Sequence, residues 1–194
     1  MDYRLEQWIN GPAGSHPLWD ALMVGAAAGA QAAFIALVGA WFLIGWLRDG
    51  SSRLAMERQG AIAALVAAGG ALGVNQILSA IWYRPRPYIT HPHQVHHLLS
   101  HSADSSFPSD HAAAAFAIAA VLFAYHRTLG LAALALAALV GFARVYVGAH
   151  YPADVLCGAA IGVVVGLVLV RWLWAIPQLA LRLVDGLMVR LGLL

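Results

Sequence analysis

Three short groups of polar residues stand out in this sequence, because each lies beside a long apolar segment. The first is Arg84-Pro85-Arg86-Pro87, the second is Phe107-Pro108-Ser109-Asp110-His111, and the third runs from Arg144 through His150 to Asp154. Arginine binds phosphate and carboxylate groups through paired N–H donors. A histidine whose second ring nitrogen is held by a carboxylate can act as a base or a nucleophile. These residue types therefore indicate chemistry on an anionic substrate.

Each group also has an ordinary structural interpretation. An arginine at a helix end is often an interfacial anchor, His111 could cap or pack a helix, and Asp154 could favour a helix N-terminus through the helix dipole. These interpretations weaken when the groups are taken together, since an ionisable group beside a membrane span is costly and marks a functional site by default. Finding all three motifs in this order makes coincidence remote.

The composition excludes a water-soluble globule. Of 194 residues 61% are hydrophobic and 10% are charged, against about 25% charged in soluble domains, and the mean hydropathy is +0.74. A chain with this much apolar surface does not stay disordered. Its length is typical of a single domain. All eleven basic residues are arginine and form no long run, which argues against nucleic-acid binding. Cys157 is the single cysteine, so it has no disulfide partner.

The sequence predicts an all-α, polytopic membrane helix bundle forming one domain over residues 1–194. Five apolar segments are expected to cross the bilayer: 21–47, the uncharged run between Arg58 and Arg84, 111–125, 129–147 and 155–174. Residues 1–18 are expected to form an interfacial helix and a turn, since Gly11-Pro12 and Gly14 interrupt them. Residues 175–194 place charges among Leu and Val at near-helical spacing, which predicts an amphipathic interfacial helix.

Arginine placement predicts the orientation. If the spans alternate, seven arginines share one side: Arg48, Arg53, Arg58, Arg127, Arg171, Arg182 and Arg190. Four share the other side: Arg4, Arg84, Arg86 and Arg144. The positive-inside rule assigns the side with seven to the cytoplasm. The polar loop 84–110, which holds four prolines and five histidines, then faces outward.

The three motifs resemble those of the type-2 phosphatidic acid phosphatase superfamily, whose patterns are K-x6-R-P, P-S-G-H and S-R-x5-H-x3-D. The core of the resemblance covers about residues 75–157. Ser79, Asp110 and Ala143 replace the lysine, glycine and serine of these patterns. The R-P-R-P stretch, the histidine-rich loop and D-S-S-F-P-S-D-H look most like the bacitracin-resistance type of undecaprenyl-diphosphatase. That resemblance implies a bacterial cytoplasmic membrane, with a role in recycling the lipid carrier of peptidoglycan synthesis.

The resemblance also implies a role for each site residue. His150 is expected to attack phosphorus while Asp154 holds its other ring nitrogen, and His111 to protonate the leaving group and then activate water. Phosphate binding is expected from Arg86 and Arg144, and from Arg84 or a loop histidine in place of the missing lysine. Ser109 is expected to cap the third span, so that the first backbone amides of that helix face the phosphate. The scheme needs no metal and no cofactor.

The histidines of the loop have three possible interpretations. His93, His97 and His101 are spaced so that they could line one helical face, with His91 and His96 beside them. They could bind a transition metal, hold the second phosphate of a diphosphate, or belong to a solvated loop.

The expected function is hydrolysis of undecaprenyl diphosphate, a polyprenyl diphosphate lipid of the bilayer. A phospholipid phosphatase acting on phosphatidylglycerophosphate or phosphatidate would use the same motifs. A non-catalytic metal-binding membrane protein is a third interpretation, but it leaves Arg86, Arg144 and Asp154 unexplained. The sequence does not determine the oligomeric state.

Overall fold

The computed structural model describes residues 1–47, 52–100 and 104–190 and confirms the all-α prediction. Over these residues the chain forms helices α1 (Asp2–Asn10), α2 (Pro17–Leu47), α3 (Ser52–Ile81), α4 (Pro87–Thr90), α5 (Asp110–Tyr125), α6 (Arg127–Tyr146), α7 (Pro152–Trp172) and α8 (Ala175–Arg190). Arg48, which entered the orientation argument, lies outside the described residues, and the side chain of Arg53 is not described either.

Within the described residues, four helices are long and apolar enough to cross a membrane: α2, α3, α6 and α7. The third predicted span, α5, is an apolar helix of 16 residues. At 1.5 Å per residue it extends about 24 Å, which is less than the roughly 30 Å of a hydrocarbon core. It differs from the other four by lying inside the bundle, where α3, α6 and α7 pack around it.

Small residues allow α7 to pack closely against α5. The buried face of α5 is mostly alanine, and α7 presents Gly158 and Gly162 to it. A Cβ atom at Gly158 would lie 2.4 Å from the carbonyl oxygen of Ser109, and one at Gly162 would lie 2.3 Å from that of Ala113. Such contacts are impossible, so only glycine permits this approach. The packing places Asp154, one turn before Gly158, against the start of α5.

Both terminal segments are helical, as the sequence predicts. Helix α1 ends at Asn10 and is followed by turns over Gly11–Gly14. Its Asn10 side chain is buried and binds the carbonyl oxygens of His96 at 2.9 Å and Tyr146 at 2.7 Å. At the other terminus, α8 is joined to α3 by an ion pair of 2.7 Å between Asp185 and Arg58.

Candidate active site

The three sequence motifs meet at one end of the bundle. Arg84 and Arg86 follow α3, Ser106 to His111 lead into α5, and the segment from Arg144 to Asp154 connects α6 to α7. The backbone joins these segments directly: the Ser106 amide donates to the Arg84 carbonyl at 2.7 Å, and the Ser109 amide donates to the Asp154 carbonyl at 3.0 Å. Residues far apart in sequence thus form one cluster.

His150 lies at the centre of this cluster, and its partners determine its tautomer. Its Nδ1 is 2.8 Å from the carbonyl oxygen of Ser106, which can only accept a hydrogen bond, so Nδ1 carries the hydrogen. Its Nε2 is 3.2 Å from a terminal nitrogen of Arg86 and 3.3 Å from one of Arg144, which can only donate. The lone pair of Nε2 therefore points between two guanidinium groups.

Burial and charge keep this imidazole neutral. His150 is 2% exposed. Burial, followed by the charges of Arg144 and Arg86, lowers the pKa of His150 well below its usual value. A neutral imidazole has an unprotonated nitrogen with a lone pair, and the two guanidinium groups beside that nitrogen attract an anion to it. The arrangement suits a nucleophile that receives a phosphoryl group.

Asp154 is fully buried and accepts hydrogen bonds on both oxygens. One oxygen accepts from the Ser106 hydroxyl at 2.5 Å and from the Tyr151 amide at 3.0 Å. The other accepts from Arg84 at 2.6 Å. The sequence argument has Asp154 hold Nδ1 of His150, whereas the contacts described here connect the two residues through Ser106, whose carbonyl accepts from Nδ1 and whose hydroxyl donates to Asp154.

Arg86 and Arg144 are both buried beside Nε2 of His150. Arg86 is 3% exposed, and it donates to the carbonyl oxygen of Ala149 at 2.9 Å and to the carboxylate of Asp104 at 2.9 Å. Arg144 is 1% exposed, and its Nε has no hydrogen-bond partner among the described residues. A buried N–H group without a partner is costly, so it is a candidate donor to a bound anion.

Ser109 precedes α5 as predicted, but its side chain does not cap that helix. The hydroxyl is buried and has no hydrogen-bond partner within the described part of the chain. It is therefore a second candidate donor for an anion. His111 lies one residue into α5, is partly exposed, and forms part of the wall of a cavity of about 310 Å³.

Arg84 has different partners from those expected of a phosphate ligand. One terminal nitrogen binds Asp154 at 2.6 Å, the other binds Asp2 of α1 at 2.7 Å, and the guanidinium carbon lies 3.9 Å from the centre of the Tyr151 ring. At the position of the missing lysine, the Ser79 hydroxyl donates to the Gln76 carbonyl at 3.1 Å.

Asp110, the residue in place of the family glycine, binds back to α3. One carboxylate oxygen accepts from the Asn75 side chain at 2.9 Å, and the other accepts from Gln76 at 3.3 Å. Asn75 is fully buried. The replacement of glycine by aspartate therefore joins the start of α5 to α3.

The histidine loop is not helical over its described residues. Turns and irregular structure follow α4 from His91 onward, because Pro92 disfavours the helical conformation of the residue before it. The prediction that His93 and His97 share a helical face is wrong, and His101 lies outside the described residues. His91 stacks on Tyr3 with ring centres 3.7 Å apart, and His97 stacks on Tyr88 at 3.9 Å. Within the described chain, no three His, Cys, Asp or Glu side chains are grouped as metal ligands.

Sequence reasoning missed three residues of the cluster. Ser106 and Asp104 lie in the D-S-S run directly before the second motif, so their position was a usable signal. Asp2 is 82 residues from Arg84 and 152 from Asp154, and nothing in the sequence connects it with either.

The chain is similar to known membrane phosphatases over most of its length. The PAP2 superfamily pattern matches residues 60–178. Undecaprenyl-diphosphatase BcrC of Bacillus subtilis is 30% identical over 172 residues, which cover 89% of this chain and 84% of that protein. The crystal structure of Aquifex aeolicus LpxE superimposes with a TM-score of 0.65 at 25% identity, covering 88% of this chain and 94% of that one.

A second solved structure has the same fold. A PAP2-type phosphatidylglycerolphosphate phosphatase from Bacillus subtilis superimposes with a TM-score of 0.61 at 22% identity, covering 86% of this chain and 83% of that one. The resemblance inferred from the three motifs is confirmed, and the chain belongs to the PAP2 superfamily of membrane phosphatases.

Proposed function

We propose that the protein hydrolyses undecaprenyl diphosphate to undecaprenyl phosphate and inorganic phosphate, without a metal, through a phosphohistidine on His150. The observation that carries the proposal is the environment of His150: a buried, neutral ring whose Nδ1 donates to a carbonyl and whose Nε2 faces Arg86 and Arg144. The similarity to undecaprenyl-diphosphatase BcrC supports the choice of substrate.

In the first step, Nε2 of His150 attacks the terminal phosphorus. A P–N bond forms, the P–O bond to the bridging oxygen breaks, and undecaprenyl phosphate leaves with a proton supplied by His111. In the second step, His111 takes a proton from water, the water oxygen attacks phosphorus, and the P–N bond breaks to release phosphate. A positioned acid or base of this kind contributes about 10² to 10⁴-fold to a rate.

The arginines supply the charge stabilisation that a metal provides in other phosphatases. Negative charge spreads over the equatorial oxygens of a phosphoryl group in transfer. Arg86, Arg144 and the Ser109 hydroxyl are fixed donors at this place and need no reorganisation during the reaction. As the His150 ring becomes positive on phosphorylation, the Ser106 carbonyl stabilises its Nδ1–H. The Asp154 carboxylate, which accepts from the Ser106 hydroxyl, supports Ser106 in this position.

An apolar cavity beside His111 supports a lipid substrate. The cavity of about 310 Å³ lies between α2, α3 and α5, and its wall includes Phe34, Ile35, Leu65 and Leu72. It places apolar surface within the membrane-spanning part of the fold next to the proposed acid. An isoprenoid chain there would bring its diphosphate towards His150, and the arginine bias would place this end at the outer face of the cytoplasmic membrane.

Comparison of substrates tests the proposal. Purified protein is given undecaprenyl diphosphate, farnesyl diphosphate and phosphatidylglycerophosphate in matched detergent micelles, and phosphate release is measured with and without EDTA. We expect the highest kcat/KM for undecaprenyl diphosphate and no effect of EDTA. Equal kcat/KM on all three would refute the substrate, preference for phosphatidylglycerophosphate would make the protein a phospholipid phosphatase, and loss of activity in EDTA would refute metal independence.

Two histidine variants test the chemistry. His150→Ala should abolish turnover and form no phosphoenzyme. His111→Ala should still react with an aryl phosphate whose phenol is acidic, since that leaving group needs no proton, and should then stall as an acid-labile, alkali-stable phosphohistidine. Acid-labile phosphate in the His150→Ala protein would show that another residue is the nucleophile.

A further inference from the structure

We propose that Arg84 and Asp2 are positioning residues that hold the Asp154 carboxylate, and that Arg84 is not a ligand of the substrate phosphate. The inference rests on the proposed function, since it assigns these residues to the same phosphoryl-transfer site. It also gives α1 a role in the site. Asp2 lies at the start of α1, and it is joined to Arg84 and α7 although it is distant from both in sequence.

Arg84 provides the positive charge beside Asp154. The other described donors to this carboxylate are a hydroxyl and an amide, from Ser106 and Tyr151. A fully buried carboxylate requires such compensation, because burial without a paired charge is very costly. The 2.6 Å contact to Arg84 supplies it. If Arg84 turned towards a phosphate instead, the buried Asp154 carboxylate would lose this compensating positive charge.

Asp2 holds Arg84 in that orientation. Its Oδ2 accepts from the second terminal nitrogen of Arg84 at 2.7 Å, and its Oδ1 accepts from the Ala153 amide at 3.0 Å. Ala153 lies in the first turn of α7, where backbone amides have no partner within the helix. One carboxylate therefore caps the helix that carries Asp154 and orients the guanidinium that binds Asp154, while the Tyr151 ring supports that guanidinium from one face.

Helix α1 is also held in place by contacts that do not involve Asp2. At the opposite end of α1, the side-chain Nδ2 of Asn10 donates to the backbone carbonyls of His96 and Tyr146, and its side-chain Oδ1 accepts from the His96 backbone amide at 2.8 Å. Tyr3 stacks on His91 and donates to Gln94. A substitution at Asp2 can therefore remove the contact to Arg84 while α1 stays in place.

A positioning role and a phosphate-binding role predict different kinetics. A residue that orients Asp154 affects the attack by His150, so its loss lowers kcat and leaves KM nearly unchanged, equally for one-phosphate and two-phosphate substrates. A residue that binds the second phosphate affects the two-phosphate substrate most and raises its KM. Arg84 also borders an opening formed with Trp82 and Phe107, where a phosphate could reach it, so the kinetics must distinguish the positioning role from a phosphate-binding role.

The experiment compares Asp2→Asn, Asp2→Glu and Arg84→Gln with wild type on farnesyl phosphate and farnesyl diphosphate. We expect Asp2→Asn to lower kcat on the order of 10-fold and Arg84→Gln on the order of 100-fold, as for the loss of charge-assisted hydrogen bonds. Both losses should be the same on the two substrates, and Asp2→Glu should recover part of the activity. Asp185→Asn is the matched control, because it removes an equally short Arg–Asp pair outside the site.

A spectroscopic measurement keeps the inference testable if wild type hydrolyses neither prenyl substrate. The ¹⁵N chemical shifts of His150 in detergent micelles report the Nδ1–H tautomer, and Asp2→Asn and Arg84→Gln should reduce its population where Asp185→Asn does not. Inactivity of wild type on undecaprenyl diphosphate as well would refute the proposed substrate class, but it would leave this tautomer comparison decisive. A wild-type tautomer population in both variants, or a KM increase confined to farnesyl diphosphate in Arg84→Gln, would overturn the positioning role.

Discussion

Replacing Ser106 by alanine is the sharpest test of the contacts around His150. The backbone carbonyl of Ser106 accepts from Nδ1 of His150, and its hydroxyl donates to Asp154. The substitution keeps the carbonyl that accepts from Nδ1 and removes the hydroxyl that joins Ser106 to Asp154, so it tests whether Asp154 acts on His150 through Ser106. Ser106 is fully buried, and water cannot easily replace the missing hydroxyl.

The expected size of the effect follows from that hydrogen bond. An O–H donor at 2.5 Å from a buried carboxylate is a short, charge-assisted bond, and such bonds contribute about 1.5 to 3 kcal/mol. If most of this acts on the transition state, in which the His150 ring becomes positive, kcat should fall about 10 to 100-fold. KM should stay nearly unchanged, because Arg86 and Arg144 keep their positions.

The assay is steady-state phosphate release, with Ser105→Ala as the matched control. The Ser105 hydroxyl contacts the backbone of Arg84 and Phe107, so this variant perturbs the same loop without touching Asp154. Thermal unfolding of both variants in detergent excludes a general loss of structure. A wild-type kcat in Ser106→Ala, or an equal loss in Ser105→Ala, would refute the connection between Asp154 and His150 through Ser106.

Three further predictions concern packing, pH and topology. Gly158→Ala should lower both thermal stability and kcat, because the new Cβ would clash with the backbone of Ser109. Gly69→Ala is the control, since a Cβ at that position meets open space and should change neither; equal melting temperatures of the two variants would contradict this prediction. Burial, with a contribution from Asp2, raises the pKa of Glu6 to about 7. The folded state therefore holds the carboxyl proton of Glu6 more tightly than the unfolded state does, so stability should fall as the pH rises from about 4.5 through 7. Glu6→Gln should remove this part of the pH dependence in thermal melts, and an unchanged pH dependence would contradict the prediction. With Cys157→Ala as background, His93→Cys should react with an impermeant thiol reagent in intact spheroplasts, and labelling only after lysis would reverse the proposed orientation.

The sequence by itself determined the class of the protein and indicated where its candidate site lies. Uncharged segments of about 20 residues have few options other than membrane helices, so the helix order followed from local composition. The ionisable groups at the ends of these segments marked the site, because a bundle this apolar keeps such groups only where they are used. These arguments depend on the chemistry of neighbouring residues and need no long-range information.

Tertiary structure decided which of these residues meet, and through which atoms. The motifs suggested that Arg84 binds phosphate. In the folded structure its two terminal nitrogens bind the carboxylates of Asp2 and Asp154, which are distant from it in sequence. Likewise, Ser106 lies between His150 and Asp154 because the loop before α5 passes beside α7. Gly158 permits this approach, since any side chain there would meet the backbone of Ser109. Hydrogen-bond partners change over a few tenths of an ångström, whereas sequence patterns report only the faces and ends of helices, so this pairing could be established only by the packed structure.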